Sequence, residues 1–389
     1  MNTQERHYVP DLPTHPGVSL LETLENLQMS QAELADRMGR PRKTINEIIR
    51  GKTAITPETA LQLEMVLGIS ASFWNKRESD YQEALAWMQQ KTQLAQWVDW
   101  VNQIPYKDLM KCGWIQNQTN PSEIVQAVLS FFGVVSPEQW NVIWGNKLNI
   151  AFRRSISYSI DDFAVAAWIR KAEIMAQEIV CEEYDEGKFR KALDEIRLLT
   201  SEQPSAELYQ ERLGNLCREC GVAVVIVPRI NKVSVFGVSQ WLSPRKAMIA
   251  LSLYFKTDDI FWYTFFHEAA HILLHSKKDV YIDLKDNDEY ASSMLEMQAN
   301  EFARDILIPQ DLLQHFIRTR NLTSQGEPFF DEKDICRFAR QLGIAPSVVV
   351  GRLQYDQVLQ PRYKNEFKTM LDIEDEKIVI KRKPINCGE

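Results

Sequence analysis

The chain has 389 residues, of which 45% are hydrophobic and 25% are charged, so it is long enough for two or three domains with separate cores. Its net charge of -8 argues against a surface that coats nucleic acid as a whole, and any DNA contact is expected from one local element. No apolar run approaches the roughly 20 residues that span a bilayer, and the N-terminus lacks the basic-then-apolar order of a signal peptide. We expect a cytoplasmic protein with no membrane partner.

Six cysteines are scattered over the chain, unlike the dense disulfide framework of small secreted domains, and we expect reduced thiols. Cys217 and Cys220 form a Cys-x-x-Cys pair, which raises a zinc knuckle or a redox pair as alternatives. No second such pair, and no histidine pair, follows at zinc-finger spacing. The apolar neighbours therefore favour two cysteines packed at a helix end before Gly221.

Residues 15–80 have the pattern of several short helices. Leucines at helical spacing predict a first helix over about 18–27. Ser30 and Glu33 form a capping box, which predicts a second helix that starts here and ends at Gly39.

A third and a fourth helix follow the same logic. Pro41 suits the first turn of a helix that ends before Gly51, and Thr56 with Pro57 opens the fourth. Two short helices separated by a glycine turn are typical of a helix-turn-helix. The residues expected to pack inward from the fourth helix and the segment after it are Ala60, Leu61, Leu63, Leu67, Phe73 and Trp74.

The third helix is the predicted recognition helix, because its outward side is polar while Ile45, Ile48 and Ile49 face inward. Residues 36–52 carry six basic residues against two acidic ones, which indicates a local phosphate-facing patch. The candidate DNA-contacting residues are Gln31, Arg42, Lys43, Thr44, Asn46 and Arg50.

These helices carry a family resemblance in specific motifs, namely His15-Pro16-Gly17, Ser30-Gln31-Ala32-Glu33-Leu34-Ala35, Ile45-Asn46-Glu47-Ile48 and Ile55-Thr56-Pro57-Glu58-Thr59-Ala60. With them, residues 15 to about 80 resemble the XRE-type helix-turn-helix of HigA-like antitoxins. The resemblance implies operator DNA as a partner, a homodimer, and a toxin or other protein partner. The alternative is a four-helix unit that makes only protein contacts, because a fold does not by itself secure a function.

Residues 81–150 are predicted to be a helical connecting region, since apolar residues recur every three or four positions and three prolines punctuate it. Arg153 and Arg154 precede a long predicted helix. Surface arginines beside a core aromatic are favoured there over a binding site.

From Gly221 onward the pattern changes to β-branched runs over 222–228, 233–241 and 247–253. These runs predict a three-stranded sheet that packs against the next helix, for which Thr257 is a candidate N-cap. The tail over 356–389 is charged and mixed, and a terminal strand is expected there.

The segment His267-Glu268-Ala269-Ala270-His271 places two histidines one helical turn apart, so both imidazoles can reach one cation while Glu268 lies beside it. Two histidines, a third protein ligand and a water form the donor set of a catalytic zinc site, and Glu268 is the candidate base for that water. The alternative is a buried helix whose histidines satisfy local hydrogen bonds. The apolar flanks disfavour it, because these side chains are costly to bury unless something binds them.

Glu296 is the candidate third metal ligand, on a helix that can lie antiparallel to the histidine helix across a connecting loop over 276–290. Asn300, one turn after Glu296, is placed to hold a histidine by a supporting hydrogen bond. Glu301 is the rival ligand on a different helix face. His275 is expected in a solvated or supporting role. The candidate oxyanion donors, none of them secured by the sequence, are Tyr254, Tyr263, Tyr290 and Arg304.

Together with Leu307-Ile308-Pro309, these motifs resemble the ImmA/IrrE family of zinc metallopeptidases over about residues 150–355. Family members more often have glycine where this chain has Ala270, and alanine should preserve close helix packing. The resemblance implies a Zn²⁺ cofactor and a role in bacterial or phage regulation, commonly through cleavage of a repressor.

The sequence therefore predicts an α+β, mainly helical protein. We expect an all-α helix-turn-helix domain over 15–80, a helical region over 81–150, a zincin-like domain with a small sheet packed on the histidine helix over 151–355, and a tail over 356–389. The predicted function is a DNA-binding regulator whose zinc peptidase cleaves itself or a partner in response to a signal. The alternative is a non-enzymatic antitoxin or transcription factor whose metal domain is a sensor or a structural module.

Overall fold

The computed structural model of the protein describes residues 13–148, 160–231, 233–284, 294–320, 329–374, 377–385 and 387. They divide into two compact units, one formed by the described part of 1–99 with 120–125, and the other by 100–119 with the described part of 126–389. Helices dominate and two small sheets accompany them, which confirms the predicted mainly helical α+β class. None of the helices in the described ranges is long and apolar enough to cross a membrane.

The helices of the first unit are α1 (Pro16–Asn26), α2 (Gln31–Met38), α3 (Arg42–Ile49), α4 (Pro57–Leu67) and α5 (Ala71–Gln96). The Ser30 side chain accepts a hydrogen bond from the Glu33 amide at 3.1 Å, and α2 ends at Gly39 in the left-handed conformation. Thr56 caps α4 in the same way. The predicted starts of α2 and α4 are therefore confirmed.

A small core joins these five helices, and its fully buried members include Leu20, Leu34, Ile45, Ala60, Leu63 and Trp74. Two of the residues predicted to pack inward do not do so: Leu61 is 55% exposed and Phe73 is 42% exposed. Each follows or precedes a buried neighbour on its helix. Successive helical residues point about 100° apart, and at these two positions it is the neighbour, Ala60 or Trp74, that faces the core.

The remaining helices are α6 (Val98–Val101), α7 (Tyr106–Lys111), α8 (Pro121–Phe132), α9 (Pro137–Trp140), α10 (Ile160–Glu178), α11 (Glu186–Leu199), α12 (Leu213–Arg218), α13 (Asp258–Leu274), α14 (Met294–Leu307), α15 (Gln310–Arg318), α16 (Glu332–Leu342) and α17 (Pro346–Tyr355). Short π-helical segments span Asn141–Gly145 and Leu208–Arg212. The described part of the predicted connecting region is thus helical, whereas Arg153 and Arg154 lie outside the described residues.

The main sheet consists of β1 (Val222–Ile226), β2 (Val235–Ser243), β3 (Lys246–Leu251) and β4 (Tyr281–Leu284), in the order β1-β3-β2-β4. β1 runs parallel to β3, and the other pairs are antiparallel. The three predicted strands are confirmed, but the predicted three-stranded sheet is wrong. A fourth strand lies inside the expected connecting loop, and at four residues it is too short to show a strand periodicity in the sequence.

The predicted histidine helix is α13, which packs against β2, β3, α14 and α17. Trp262, Phe265 and Phe266 are completely buried on it and anchor the core of the second unit. Opposite α13, the register of the sheet pairs Gly237 on β2 with Asp283 on β4. The sheet and α14 therefore enclose the polar stripe of α13.

The C-terminal tail forms a hairpin of β5 (Met370–Glu374) and β6 (Lys377–Arg382), so the expected terminal strand is confirmed with a partner strand. Cys387, beyond β6, is disulfide-bonded to Cys336 on α16, and the expectation of reduced thiols is wrong for this pair. The hairpin brings their Cα atoms to 5.7 Å across a sequence separation of 51 residues, which no local pattern reveals. Cys217 and Cys220 are buried and unbonded, as the packing interpretation predicts.

Candidate functional site

The predicted recognition helix α3 presents a polar face in the first unit. Arg42, Lys43 and Arg50 are exposed, while Thr44 is half-buried. The amide of Asn46 donates a hydrogen bond to Oε1 of Gln31 on α2 at 3.4 Å, so these two candidates share one patch. The six candidate DNA-contacting residues thus lie on α2, on α3 and at the end of α3.

The exposed cations of this patch form only loose ion pairs. Arg42 lies 3.7 Å from Asp36 and Lys43 lies 3.8 Å from Glu47, and both side chains are mostly exposed. Such surface pairs contribute little stability, so exchanging them for phosphate contacts costs little. The patch can therefore accept an anionic partner without rearranging the core.

The second site gathers His267 and His271 from α13 with Glu296 from α14. The two Nε2 atoms are 3.1 Å apart, and Glu296 Oε2 and Oε1 lie 3.1 Å and 3.3 Å from Nε2 of His267 and His271 respectively. A tetrahedral zinc with bonds of about 2.0 to 2.1 Å separates its ligands by roughly 3.3 Å. The ligand atoms of His267, His271 and Glu296 therefore have about the separations that a bound zinc ion imposes. We call these three residues the metal triangle.

The outer nitrogen of each histidine is held so that Nε2 faces the centre of this triangle. Asn300 Oδ1 accepts from Nδ1–H of His267 at 3.1 Å, and the Tyr263 hydroxyl donates to the same oxygen at 2.5 Å. On the other side, His271 Nδ1 lies 2.8 Å from His275 Nδ1, and His275 Nε2 lies 3.2 Å from Gln298 Oε1.

These contacts have one consistent proton arrangement for neutral rings. Nδ1–H of His271 donates to His275, and Nε2–H of His275 donates to Gln298. Both ligand histidines then turn an Nε2 lone pair toward Glu296. Two lone pairs and a carboxylate pointing at one another are unfavourable unless a cation lies between them. The donor set therefore fits a divalent metal.

Electrostatics at the triangle also favour a cation. Burial lowers the pKa of His271 to about 4, so that imidazole is neutral. Burial opposes charge on His267 and Glu296 as well and is the largest single effect, but the hydrogen bonds between Glu296 and the histidines together with the neighbouring charges outweigh it, raising the pKa of His267 to about 9 and lowering that of Glu296 to about 2. Glu296 is therefore a carboxylate at neutral pH, and it attracts a proton or a metal to the same place.

Glu268 lies beside the triangle and is completely buried. Neither of its carboxylate oxygens has a partner at ordinary hydrogen-bond geometry within the described ranges, although the Ser239 hydroxyl is near enough to lower its pKa. Burial raises its pKa well above the usual range, against the opposing effect of His267. A buried carboxylate with free oxygens and a raised pKa is suited to accept a proton from a molecule bound next to the metal ligands.

Two neighbours of Glu268 were missed by the sequence reasoning. Asp283 on β4 places a carboxylate oxygen within 4.8 Å of ligand atoms of His267 and Glu268. Gly237 on β2 leaves the space that Glu268 occupies, because a Cβ there would lie 2.4 Å from Glu268 Oε1. Only the tertiary pairing of β2 with β4 brings these two residues to the site, so no local motif marks them.

The other candidates fall outside the triangle. Glu301 is exposed on the outer face of α14, which disfavours it as a ligand. Tyr254 packs edge-to-face against Phe236, and Tyr263 and Arg304 bind Asn300 instead of pointing to a free oxyanion position. Tyr290 lies outside the described residues.

Family models match both parts of the chain. The model described as helix-turn-helix matches residues 20–74, and the model described as the IrrE N-terminal-like domain, of a peptidase family, matches residues 230–353. The chain belongs to the XRE-type helix-turn-helix family and carries an IrrE-like domain. The IrrE-like domain spans β2, α13 and α14, and it therefore contains the whole metal triangle.

Two curated relatives each match a short part of the chain. Virulence-associated protein A of Dichelobacter nodosus is 39% identical over 71 residues, which cover 18% of this chain and 70% of that protein. The uncharacterized HTH-type transcriptional regulator YddM of Escherichia coli K12 is 37% identical over 59 residues, covering 15% of this chain and 63% of that protein.

Solved structures also align with a short part of the chain. An addiction module antidote protein of the HigA family from Coxiella burnetii is 30% identical, with coverage of 22% of this chain and 92% of that one and a TM-score of 0.21. The Pseudomonas aeruginosa antitoxin HigA with the higBA promoter is 32% identical, with coverage of 21% and 90% and the same TM-score of 0.21.

Proposed function

We propose that this protein is a DNA-binding transcriptional regulator whose IrrE-like domain is a zinc-dependent peptidase that cleaves the chain itself or a partner regulatory protein in response to a signal. The observation that carries the proposal is the triangle of His267, His271 and Glu296, in which Nε2 of each histidine lies 3.1 Å or 3.3 Å from a carboxylate oxygen of Glu296. The unpartnered carboxylate of Glu268 beside it supports hydrolysis rather than a purely structural metal.

His267, His271 and Glu296 would hold the zinc, which when bound polarises the scissile carbonyl and lowers the pKa of a bound water towards ~7. Glu268 accepts the proton of the attacking water and delivers it to the leaving amine. Asn300 and Tyr263 keep His267 in the tautomer that leaves Nε2 free. The closed surroundings of Glu268 keep other water away from it.

Operator DNA is the proposed partner of residues 15–80, which we assign as the DNA-binding domain. Support comes from the helix-turn-helix family and from the basic, exposed face of α3. Residues 81–150 would connect it to a peptidase domain over 151–355, followed by the tail over 356–389. We also propose that the protein acts as a homodimer, because a two-fold pair of recognition helices matches a palindromic operator.

The second candidate function is a non-enzymatic regulator or antitoxin whose metal domain is a sensor or a structural module. The burial of the triangle favours it, since His267, His271 and Glu296 are each 4% exposed or less. A closed metal site of this kind could change DNA binding through metal occupancy without cleaving a peptide bond.

Incubation of the wild-type protein and Glu268→Gln with co-purified partners, followed by mass spectrometry for new peptide termini, separates the two functions. Glu268→Gln keeps the metal ligands and loses the base, so the peptidase proposal predicts new termini with wild type only. Glu301→Gln, an exposed change on α14, serves as the matched control and should cleave normally. Termini that persist in pure Glu268→Gln protein would exclude Glu268 as the base, whereas zinc-modulated operator binding without any fragments would favour the sensor.

A further inference from the structure

A cavity of about 280 Å³ lies in the second unit; Tyr263 lines it, whereas His267, His271 and Glu296 do not. It is formed by α13, α14 and α17 together with Lys368, and its lining is mostly apolar, with Leu307, Ile308 and Val348 among the contributors. Small-molecule sites typically start at about 300 Å³. The volume therefore suits a small molecule and is too small for a folded partner segment.

Three cations line this otherwise apolar cavity, namely Arg304, Arg352 and Lys368, against the single carboxylate of Asp259. Lys368 is neutralised there, because its Nζ lies 2.7 Å from Asp259 Oδ2. Arg304 makes a hydrogen bond from Nε to the backbone oxygen of Asn300 and has no carboxylate partner among the described residues. Arg352 forms an ion pair with Asp356 at 2.9 Å, so Arg304 is the cation of this lining that keeps an uncompensated charge.

Arg352 supplies the most specific indication of a ligand. Its side chain is 8% exposed, and it donates from Nε to Asp356 at 2.9 Å and from one terminal nitrogen to Gln310 at 2.6 Å. The other terminal nitrogen, Nη1, is buried and has no hydrogen-bond partner in the described part of the chain. A buried guanidinium nitrogen left unpaired beside a cavity is costly, and a ligand oxygen in the cavity would satisfy it.

Aromatic side chains shape the same space. The rings of Tyr263 and Tyr355 lie 6.0 Å apart and inclined at 31°, and both line the cavity. Flat apolar groups pack well against such rings. The cavity therefore combines an apolar, partly aromatic body with a cationic end.

Two of the lining residues also hold Asn300, which in turn holds His267. Tyr263 donates to Asn300 Oδ1 and Arg304 donates to the Asn300 backbone oxygen. A ligand that draws either donor toward itself would weaken a contact of Asn300, and hence the orientation of His267.

We propose that this cavity binds a small organic anion with an apolar body, such as an aryl or short alkyl carboxylate or phosphate, and that its occupancy alters the metal triangle through Tyr263 and Asn300. The carboxylate or phosphate head pairs with Arg352 and Arg304, and the apolar body lies between Tyr355 and Val348. The binding part of this inference stands on the cavity alone, while the coupling part rests on the proposed metal site.

The binding test uses the full chain and measures thermal stability and calorimetric titration with benzoate, 3-phenylpropionate, octanoate and phenyl phosphate. Benzamide is the neutral counterpart, and inorganic phosphate shows whether the head alone suffices. We expect at least one organic anion to bind, benzamide to fail, and Arg352→Met and Arg304→Met each to weaken binding at least tenfold. Arg337→Met, at an exposed arginine on α16, is the matched control and should bind like wild type.

Arg304 is only half-buried, so Arg304→Met remains informative even where Arg352→Met fails to fold. The binding proposal is overturned if none of the four organic anions binds wild type, if benzamide or inorganic phosphate binds as tightly as they do, or if both variants bind them unchanged.

Coupling is read separately from the visible absorption spectrum of the cobalt-substituted protein, which reports ligand geometry without requiring catalysis. The bound anion should change the spectrum of wild type, and Tyr263→Phe should bind the anion but lose this change. An unchanged wild-type spectrum with anion bound overturns the coupling. Failure of the chain to take up cobalt would instead refute the metal site. The test of anion binding to the cavity would still be valid, because it does not require a metal.

Discussion

Replacing Gly237 by alanine tests how the fold positions the proposed base. In the structure, a Cβ at residue 237 would lie 2.4 Å from Oε1 and 2.7 Å from Cγ of Glu268, and 2.8 Å from Thr264 Cγ2. Ordinary van der Waals contact begins at 3.4 Å, so the carboxylate must retreat by about 1 Å. A misplacement of this size costs about 10²-fold in rate, because the reacting groups leave their near-attack geometry.

The same substitution leaves the three metal ligands in place, so Gly237→Ala should retain zinc while cleavage slows. Overpacking the interior between β2 and α13 should also lower the free energy of unfolding by about 1–3 kcal/mol. The assay is the initial rate of formation of the fragment that depends on Glu268, normalised to folded protein, together with zinc content by inductively coupled plasma mass spectrometry.

Gly214→Ala is the matched control, because a Cβ at that position on α12 meets nothing within 4 Å. It should leave the cleavage rate unchanged and leave stability equal or higher by up to about 1 kcal/mol, since alanine favours helix. Cleavage by Gly237→Ala at the wild-type rate would refute the argument that this glycine makes room for Glu268.

Three further predictions concern the support of His267, a buried carboxyl and the DNA-binding face. Asn300→Ala should weaken zinc binding by about 10–100-fold in a competition titration, because His267 loses its supporting hydrogen bond. Asn300→Asp keeps an acceptor oxygen and should lose less zinc affinity. Equal zinc affinity in wild type and Asn300→Ala would contradict the supporting role of Asn300. Burial, and to a smaller extent the negative charge of Asp259, raises the pKa of Asp258 to about 7. The folded chain therefore retains a proton on this carboxyl that the unfolded chain releases near pH 4. Stability should therefore fall by up to about 4 kcal/mol between about pH 4 and about pH 7, and Asp258→Asn should flatten that fall in urea titrations; an identical slope in both proteins would argue against it. Arg42→Ala and Asn46→Ala should each weaken operator binding by about 5–150-fold in an anisotropy titration. Lys91→Ala, at an exposed position on α5, is the control and should bind like wild type. Unchanged affinity in both α3 variants would contradict the assignment of α3 as the recognition helix.

Local sequence signals were sufficient for the elements that depend on local chemistry. Ser30 and Thr56 mark helix starts because their side chains cap amides three residues on. The period of one helix is enough to predict that His267 and His271 share a face, and the period of a second helix predicts the same for Glu296 and Asn300. The structure brings these four residues together, although their roles in metal binding and catalysis stay predictions.

Long-range contacts account for what the sequence did not reveal. β4 exists because its backbone pairs with β2, and this pairing alone brings Asp283 and Gly237 to Glu268. By its sequence Tyr263 is a candidate oxyanion donor, yet its hydroxyl donates to Asn300, because α14 packs on α13. The Cys336–Cys387 bond likewise depends on where the tail hairpin lies.

On α4 and α5, the sequence also does not show which single residues are buried. Leu61 and Phe73 are apolar and adjacent to core positions, and composition alone cannot tell which of two neighbours turns inward. That choice is fixed by the helix rotation that buries Leu63 and Trp74.

Native mass spectrometry of the purified chain, with and without added zinc, measures whether His267, His271 and Glu296 hold a metal ion. We predict one tightly held zinc ion per chain in wild type and in Glu268→Gln, and at least tenfold weaker binding in Glu296→Gln, which removes one ligand and its charge. Exposed Glu301→Gln is the control and should bind zinc like wild type. Wild type that takes up no zinc, or Glu296→Gln that binds it as tightly as wild type, would contradict a metal centre built from His267, His271 and Glu296.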